Sequence, residues 1–372
     1  MIRPDRPSGS GLRGAAVSWR GIVRRLLQGA VALVFIAALL VWLGYRIGPE
    51  EFWALALLQY LPYPLVLVPA ALALLCSLAL GRPWRALALA GLAIVLWGAM
   101  GLTLSVPEPA GDRPSVRLMT YNIKSHLARQ RPDGFVALAL EIERHAPDIV
   151  VVQDGREPGQ HRGLGTPVAA LFGDRHHRYA HGQFVIASRF PLRDCAPGVS
   201  FDGRLGEAWV RCTATVGRVD VDVYSVHLHT PRQALDATRR ELLHGDDSGI
   251  GLFERNIAER LSQARDLARA VRASTRPVIV AGDFNAPQPS LVLRPLLESG
   301  LRDAHASAGM GFGYTYGHAF RWGFSFLRID HVLVGPGIGV SACETGGANA
   351  SEHRPVIAEL YLDGAGEVRT SP

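Results

Sequence analysis

The chain has 372 residues, 48% of them hydrophobic, and a formal charge of +6, a length that allows one large domain or two ordinary ones with ample core. Residues 1–104 hold nine of the 39 basic residues against three of the 33 acidic ones, which leaves thirty of each in the remainder. A globular part without net charge lacks the clustered lysine and arginine that nucleic-acid binding leaves as its footprint, so a nucleic-acid partner is disfavoured.

In chain order, a basic tail (1–25) precedes a region (26–104) with three apolar runs, roughly Leu26–Tyr45, Pro62–Leu80 and Ala86–Leu104. Each is close to the ~20 residues a helix needs to cross about 30 Å of hydrocarbon, so three transmembrane helices and the bilayer as partner are expected. The aromatic segment Phe52–Tyr63, broken by Pro62, reads as interfacial. Six arginines precede the first run, and Arg82 and Arg85 fill the turn between the second and third, whereas the longer connection carries only Arg46. The positive-inside rule then puts the N-terminus in the cytoplasm. Three crossings of a plasma or inner membrane deliver everything after Ser105 to the far side. A Pro- and Gly-containing linker (105–115) leads to a globular domain (116–362) and a tail (363–372). Of the cysteines outside the apolar runs, Cys195, Cys212 and Cys343, an odd number cannot all pair; a Cys195–Cys212 bridge is compatible with the sequence.

Within the domain, strands are expected at Val116–Tyr121, Asp148–Val152, Gln183–Ser188, Trp209–Val216, Val219–Val226, Val278–Gly282, Ile329–Val334 and Val356–Tyr361. Helical spacing marks Phe135–His145 and Leu252–Ala273, with a short helix near Ser290–Ser299. Strands that are sometimes adjacent and sometimes separated by helices indicate a mixed α/β architecture with helices layered over sheet.

The chemistry gathers at strand ends. In Val278–Pro287 (VIVAGDFNAP), Gly282 ends a β-branched run, and Asp283 and Asn285 follow two apart, on one side of an extended backbone. Asn122, Asp154, His227, Asp330 and His353 occupy comparable positions. Carboxylates suit a hard cation such as Mg²⁺, and histidines beside them suit proton handling. Phosphoester hydrolysis needs both.

The ordered blocks TYNI (Thr120–Ile123), VVQD (Val151–Asp154), SVHLH (Ser225–His229), GDFN (Gly282–Asn285), RIDHVLV (Arg328–Val334) and SEHRPV (Ser351–Val356) resemble the endonuclease/exonuclease/phosphatase superfamily. The resemblance covers about Val116 to Leu362. It implies a four-layer αββα sandwich, DNase I-like with two packed mixed β-sheets, and hydrolysis by direct attack of water with Mg²⁺, or else Mn²⁺. It further implies that Asn122, Asp154 and Glu352 bind the metal. His227 would contact phosphate or protonate the leaving oxygen, Asp283 align the water, and Asn285 hold a phosphate oxygen. Asp330 would orient His353, the residue touching the scissile phosphate, and Asn122 would also contact substrate. For His229, Thr315, Arg328 and His331 a structural role is expected. The family pattern has Glu where this chain has Asp154, and Asp where it has Glu352, a pair of changes read here as a compensating exchange. A neutral domain at a membrane, with the aromatic, glycine-rich stretch Phe312–Phe326 near the site, points to a lipid or small phosphoester. An extracytoplasmic DNase-like endonuclease and a membrane-anchored binding protein with a degenerate site are the alternatives.

Overall fold

The structure, a computed structural model, describes residues 19–155, 166–199, 205–246, 248–321 and 323–363. Most of the two expected tails lies outside these ranges. The chain begins with α1 (Trp19–Ile47), α2 (Trp53–Leu58), α3 (Pro64–Ser77) and α4 (Arg82–Ala93), the last running into a π-turn at Ile94–Ala99. Two compact units result. One contains residues up to Leu40 together with Pro64–Val95, and the other Val41–Tyr63 together with everything from Leu96 onward.

The three apolar runs expected to cross a membrane form helices of unequal length. At 29 residues and 1.5 Å per residue, α1 reaches about 43 Å, and among the described residues it is the one helix long and apolar enough to cross a membrane. Pro64 delays the start of α3, and the turn after Ser77 closes it at 14 residues, so it spans about 21 Å. Gly81 and Pro83 then set the start of α4, which keeps α-helical geometry for 12 residues only. Within this first unit Val31, Ala73, Leu80 and Ala88 are buried together.

After α2, the second unit continues with a two-residue strand β1 (Thr103–Leu104). Then come β2 (Ser115–Asn122), α5 (Ser125–Ala128), α6 (Gly134–His145), β3 (Ile149–Gln153), α7 (Thr166–Ala169), β4 (His177–His181), β5 (Phe184–Ser188), β6 (Leu192–Val199), β7 (Leu205–Val216) and β8 (Val219–His227). The chain continues through α8 (Arg232–Leu243), α9 (Ser248–Ala273), β9 (Val278–Asp283), α10 (Arg294–Leu297), β10 (Arg302–Asp303), α11 (Ala304–Ala308), β11 (Met310–Gly311), β12 (Asp330–Val334), β13 (Ile338–Thr345) and β14 (Val356–Leu362). Two six-stranded sheets form, in the orders β10-β12-β9-β8-β7-β6 and β13-β14-β2-β3-β5-β4. Each is antiparallel except for one parallel pair, β8 with β9 and β2 with β3.

Side-chain alternation explains the layering. Val116 and Leu118 of β2 face Val221, Val223, Ile279 and Ala281 of the other sheet in one central core. The opposite residues, Met119 and Tyr121, pack under Leu138 and Ile142 of α6, while Tyr224, Val226 and Val280 pack under Ala264 and Leu267 of α9. The result is a four-layer αββα sandwich, as expected. A Cys195–Cys212 disulfide links β6 to its neighbour β7.

The segment Phe52–Tyr63, read from sequence as interfacial, instead enters the core of the second unit. Ala56 and Tyr60 are buried with Phe253, Tyr316 and Ile329. Glu50 accepts hydrogen bonds from Ser290 Oγ and from Leu291 N at 2.9 Å.

Candidate functional site

Strand register sets the site. The parallel pairing of β8 and β9 puts His227 beside Asp283, and the antiparallel pairing of β9 and β12 puts Asp330 on the other side of Asp283. The close approach that this requires falls at Gly282, whose φ is +158° and where a Cβ would stand 2.0 Å from Val226 O. On the second sheet, β2 and β3 end together at Asn122 and Gln153, one residue before Asp154.

Asp283, almost fully buried, is the hub. Its Oδ2 accepts from Asn122 Nδ2 at 2.9 Å, which joins the two sheets, and lies 3.5 Å from His227 Nε2 and 3.7 Å from His353 Nε2. Its Oδ1 accepts the Asn285 N–H at 2.9 Å. His353 Nδ1 meets Asp330 Oδ2 at 2.9 Å, and with the proton placed on Nδ1 the ring donates to the carboxylate and turns Nε2 toward Asp283. His227 Nδ1 pairs with Gln183 Oε1 at 2.5 Å. Asn285 spends one amide hydrogen on Leu228 O, 2.9 Å away, and retains the other. Of the residues expected at the site, Asn122, His227, Asp283, Asn285, Asp330 and His353 are thus brought into one connected set. Asp154 joins at its edge, with Oδ1 3.8 Å from His227 Nδ1.

Burial tunes this set. It pushes the Asp330 carboxyl up to about 7, against the Thr315 hydroxyl, and pushes the His353 imidazole down to about 4. The pair is therefore disposed to be electrically neutral in the dry pocket. Burial also pushes Asp154 up, but His227 and the Lys124 ammonium outweigh it and hold that carboxyl at about 2.

Two groupings could interest a cation. Asp283, Asp330 and His353 present ligand atoms within 4.8 Å of one another. His353 already spends Nδ1 on Asp330, and a carboxyl inclined to keep its proton is a poor ligand for a hard ion, so we read this grouping as a proton relay. Asn122, Asp154 and Glu352 offer oxygen donors, and the surroundings fit positive charge. Lys124 Nζ already sits 2.6 Å from Asp154 Oδ2, and Arg232 Nη2 3.1 Å from Glu352 Oε2. Both acids at this end are thus paired with cationic side chains.

Backbone strain concentrates here as well. Lys124, Asp154 and Asn285 have φ of +45°, +52° and +50°, left-handed values that non-glycine residues adopt only when the surroundings enforce them. Lys124 was not singled out in the sequence, although a signal existed: it is the only lysine among the 39 basic residues and directly follows the TYNI block. Gln183, Arg232 and Tyr316 were also missed. Tyr316 packs its ring 4.7 Å from that of His353 and accepts from Arg232 at 2.6 Å. These three carry no local motif, and only folding brings them to the site.

A cleft of about 260 Å³ opens beside the set, lined by Asn285, His353, Lys124 and Glu352 and by the aromatic Tyr60, Phe320 and Phe326. His331 is buried against Ala286 O, Arg328 pairs with Asp303, Thr315 Oγ1 meets the Asp330 N–H at 3.3 Å, and the exposed His229 pairs with Glu259.

A model of the endonuclease/exonuclease/phosphatase family matches residues 119–353. Among solved structures, an endonuclease/exonuclease/phosphatase from Beutenbergia cavernae is 23% identical, with a TM-score of 0.48 over 68% of this chain and 73% of that one. An endonuclease/exonuclease/phosphatase family protein from Bacteroides thetaiotaomicron is 16% identical, with a TM-score of 0.50 over 68% of this chain and 99% of that one. A truncated TDP2 from Caenorhabditis elegans is 16% identical, with a TM-score of 0.47 over 67% and 98%. The Bacteroides protein shares the fold. The search of curated proteins found no match.

Proposed function

The chain belongs to the endonuclease/exonuclease/phosphatase family, whose members are metal-dependent hydrolases of phosphoester bonds, and from that premise we propose a membrane-anchored hydrolase of lipid or other small phosphoesters. The observation that carries the reading is the convergence of Asn122, His227 and His353 on the single carboxylate of Asp283.

In this mechanism a water between Asp283 Oδ2 and His353 Nε2, acceptors 3.7 Å apart, is aimed at phosphorus. Asp283 takes the water's proton as the new P–O bond forms, while His353 Nε2 accepts the water's second hydrogen and Asp330 holds the ring on line. As the ester P–O bond breaks, the departing oxygen takes a proton from His227, steadied by Gln183. Asn285 gives its free amide hydrogen to a phosphoryl oxygen, and Asn122 contacts the substrate beside it. Asn122, Asp154 and Glu352 would hold Mg²⁺, with Mn²⁺ the alternative, and the bound ion would neutralise charge on the phosphoryl oxygens. Longer Glu352 then compensates for shorter Asp154.

The cleft favours the substrate class. Its lining includes Tyr60, Tyr316, Phe320 and Phe326, which suits the apolar part of a lipid or small organic leaving group, and the neutral charge of residues 105–372 gives a DNA duplex no broad footing. For localisation, α1 crosses the membrane once with its arginine-rich start inside. One crossing, like three, leaves the globular unit extracytoplasmic. The Cys195–Cys212 bridge supports this side, because structural disulfides persist in oxidising compartments.

The test is a side-by-side assay of the full chain in detergent with Mg²⁺ on a phospholipid, a small phosphodiester, a phosphomonoester and plasmid DNA. Turnover of the lipid or the small esters at least about tenfold above DNA supports the proposal, a difference of about 1.4 kcal/mol in barrier. Preference for DNA would make the chain a nuclease.

A further inference from the structure

Arg260, on α9, is the bulkiest of the fully buried side chains, and none of its described partners is an acid. Nε donates to Asn256 Oδ1 at 3.1 Å, and Nη1 donates to Tyr60 OH and to Asn285 O, both at 2.6 Å. Nη2 is buried and has no partner among the described residues. A guanidinium desolvated against neutral acceptors alone is costly, so the fold must gain by keeping it there.

Its position shows where the gain falls. The carbonyl of Asn285 accepts from Arg260 and also from Tyr60 OH at 3.1 Å. Asn285 has φ of +50°, and its three backbone and side-chain anchors are Asp283 Oδ1, Leu228 O and this Tyr60–Arg260 pair. The pair is the only one of the three anchors that draws on a residue outside the four-layer sandwich. Tyr60 arrives from residues 49–63, which are fixed by Glu50 on the Ser290–Leu291 turn, by Tyr60 edge-on to Phe253 at 6.1 Å, and by Tyr63 stacked on Tyr314 at 5.9 Å.

We propose that Tyr60 and Arg260 are positioning residues of the phosphoester site: they clamp the Asn285 carbonyl, hold its amide toward the substrate, and so make turnover depend on the docking of residues 49–63. The inference rests on the hydrolase reading above. Tyr60 also lines the cleft, so the same segment supplies part of the surface against the apolar portion of the substrate.

The test uses full-length protein in detergent, a small phosphodiester and saturating Mg²⁺. Tyr60→Phe keeps the ring in its core and deletes one hydroxyl. The expected result is a kcat lower by about 5- to 20-fold with KM within about twofold, the size of one lost hydrogen bond to a strained residue. In an Asn285→Ala background the same change should have little further effect, because Tyr60 acts through Asn285. Hydrogen exchange of the peptide over 283–291 should rise in Tyr60→Phe, a readout that needs no turnover. Unchanged kcat and exchange in Tyr60→Phe, or equal losses in both backgrounds, overturn the inference while leaving the hydrolase reading intact. An inactive wild-type chain overturns both.

Discussion

At the residue scale, Lys124 pairs its ammonium with Asp154, the carboxylate to which the proposed function assigns a metal ion. Its ammonium and Asp154 are both largely buried, so Lys124→Met leaves a carboxylate without a counter-ion and should cost about 1–3 kcal/mol in metal-free buffer, below the ~3–5 kcal/mol of a fully buried pair. Mg²⁺ should then raise the thermal midpoint of the variant by more than it raises wild type, since the ion replaces the missing charge. Equal shifts would show that Asp154 takes no part in holding the ion. Asp330 makes a second case. Its carboxyl is raised from 3.8 to about 7 by burial, so the folded state favours the protonated form. The stability it adds is complete below pH ~4 and is lost as pH climbs through 7. His353 works in the opposite sense: lowered from 6.5 to about 4, its contribution is complete above 6.5 and is lost as pH falls through 4. Asp330→Asn removes the first effect and keeps the second. Melting curves from pH 4 to 8 should therefore show the variant gaining on wild type between 4 and 7, and a constant gap would contradict the assignment.

At the element scale, what could be read from sequence followed local pattern. The β-branched run Val278–Ala281 and the amphipathic Leu252–Ala273 gave a strand and a helix close to those formed, because periodicity and breakers act within a few residues. Strand β6 escaped, since Pro197 and Gly198 sit inside it and half its residues face water, as an edge strand allows. The segment Phe52–Tyr63 differs for another reason: its aromatic and proline content suits a membrane interface as well as a protein core, and only long-range packing decides between them. For the site, the motif residues were legible, while Gln183, Arg232 and Tyr60 were not, because each reaches the site through tertiary contacts alone. One element-level consequence is measurable. The Cys195–Cys212 bridge closes a separation of 17 residues, and a chain-entropy estimate gives about 3 kcal/mol for such a loop. Replacing both cysteines with serine should lower the unfolding free energy by about 2–4 kcal/mol, and denaturant titration showing no change would mean that the bridge is not formed in solution.

At the scale of the whole molecule, the compact unit that holds the site includes Val41–Tyr63 as well as the chain after the linker. A fragment beginning at Gly111 removes Ala56, Tyr60 and Tyr63 and uncovers Phe253, Tyr316 and Ile329. Losing a buried aromatic side chain costs about 3–5 kcal/mol, so this fragment should melt well below the full chain and turn over more slowly. Equal stability in the two would show that residues 49–63 contribute nothing to the core. The account as a whole stands on Asp283 as the point where both sheets, both histidines and the substrate meet. The most direct measurement is hydrolysis of bis-p-nitrophenyl phosphate by full-length wild type and Asp283→Ala, each with Mg²⁺ and with EDTA. The account predicts turnover by wild type with Mg²⁺ that EDTA abolishes and that Asp283→Ala reduces by about a thousandfold or more, some 4 kcal/mol of barrier, with the variant still folded. Hydrolysis that persists in Asp283→Ala, or a folded wild type that binds Mg²⁺ and cleaves none of the phosphoesters offered, would contradict it.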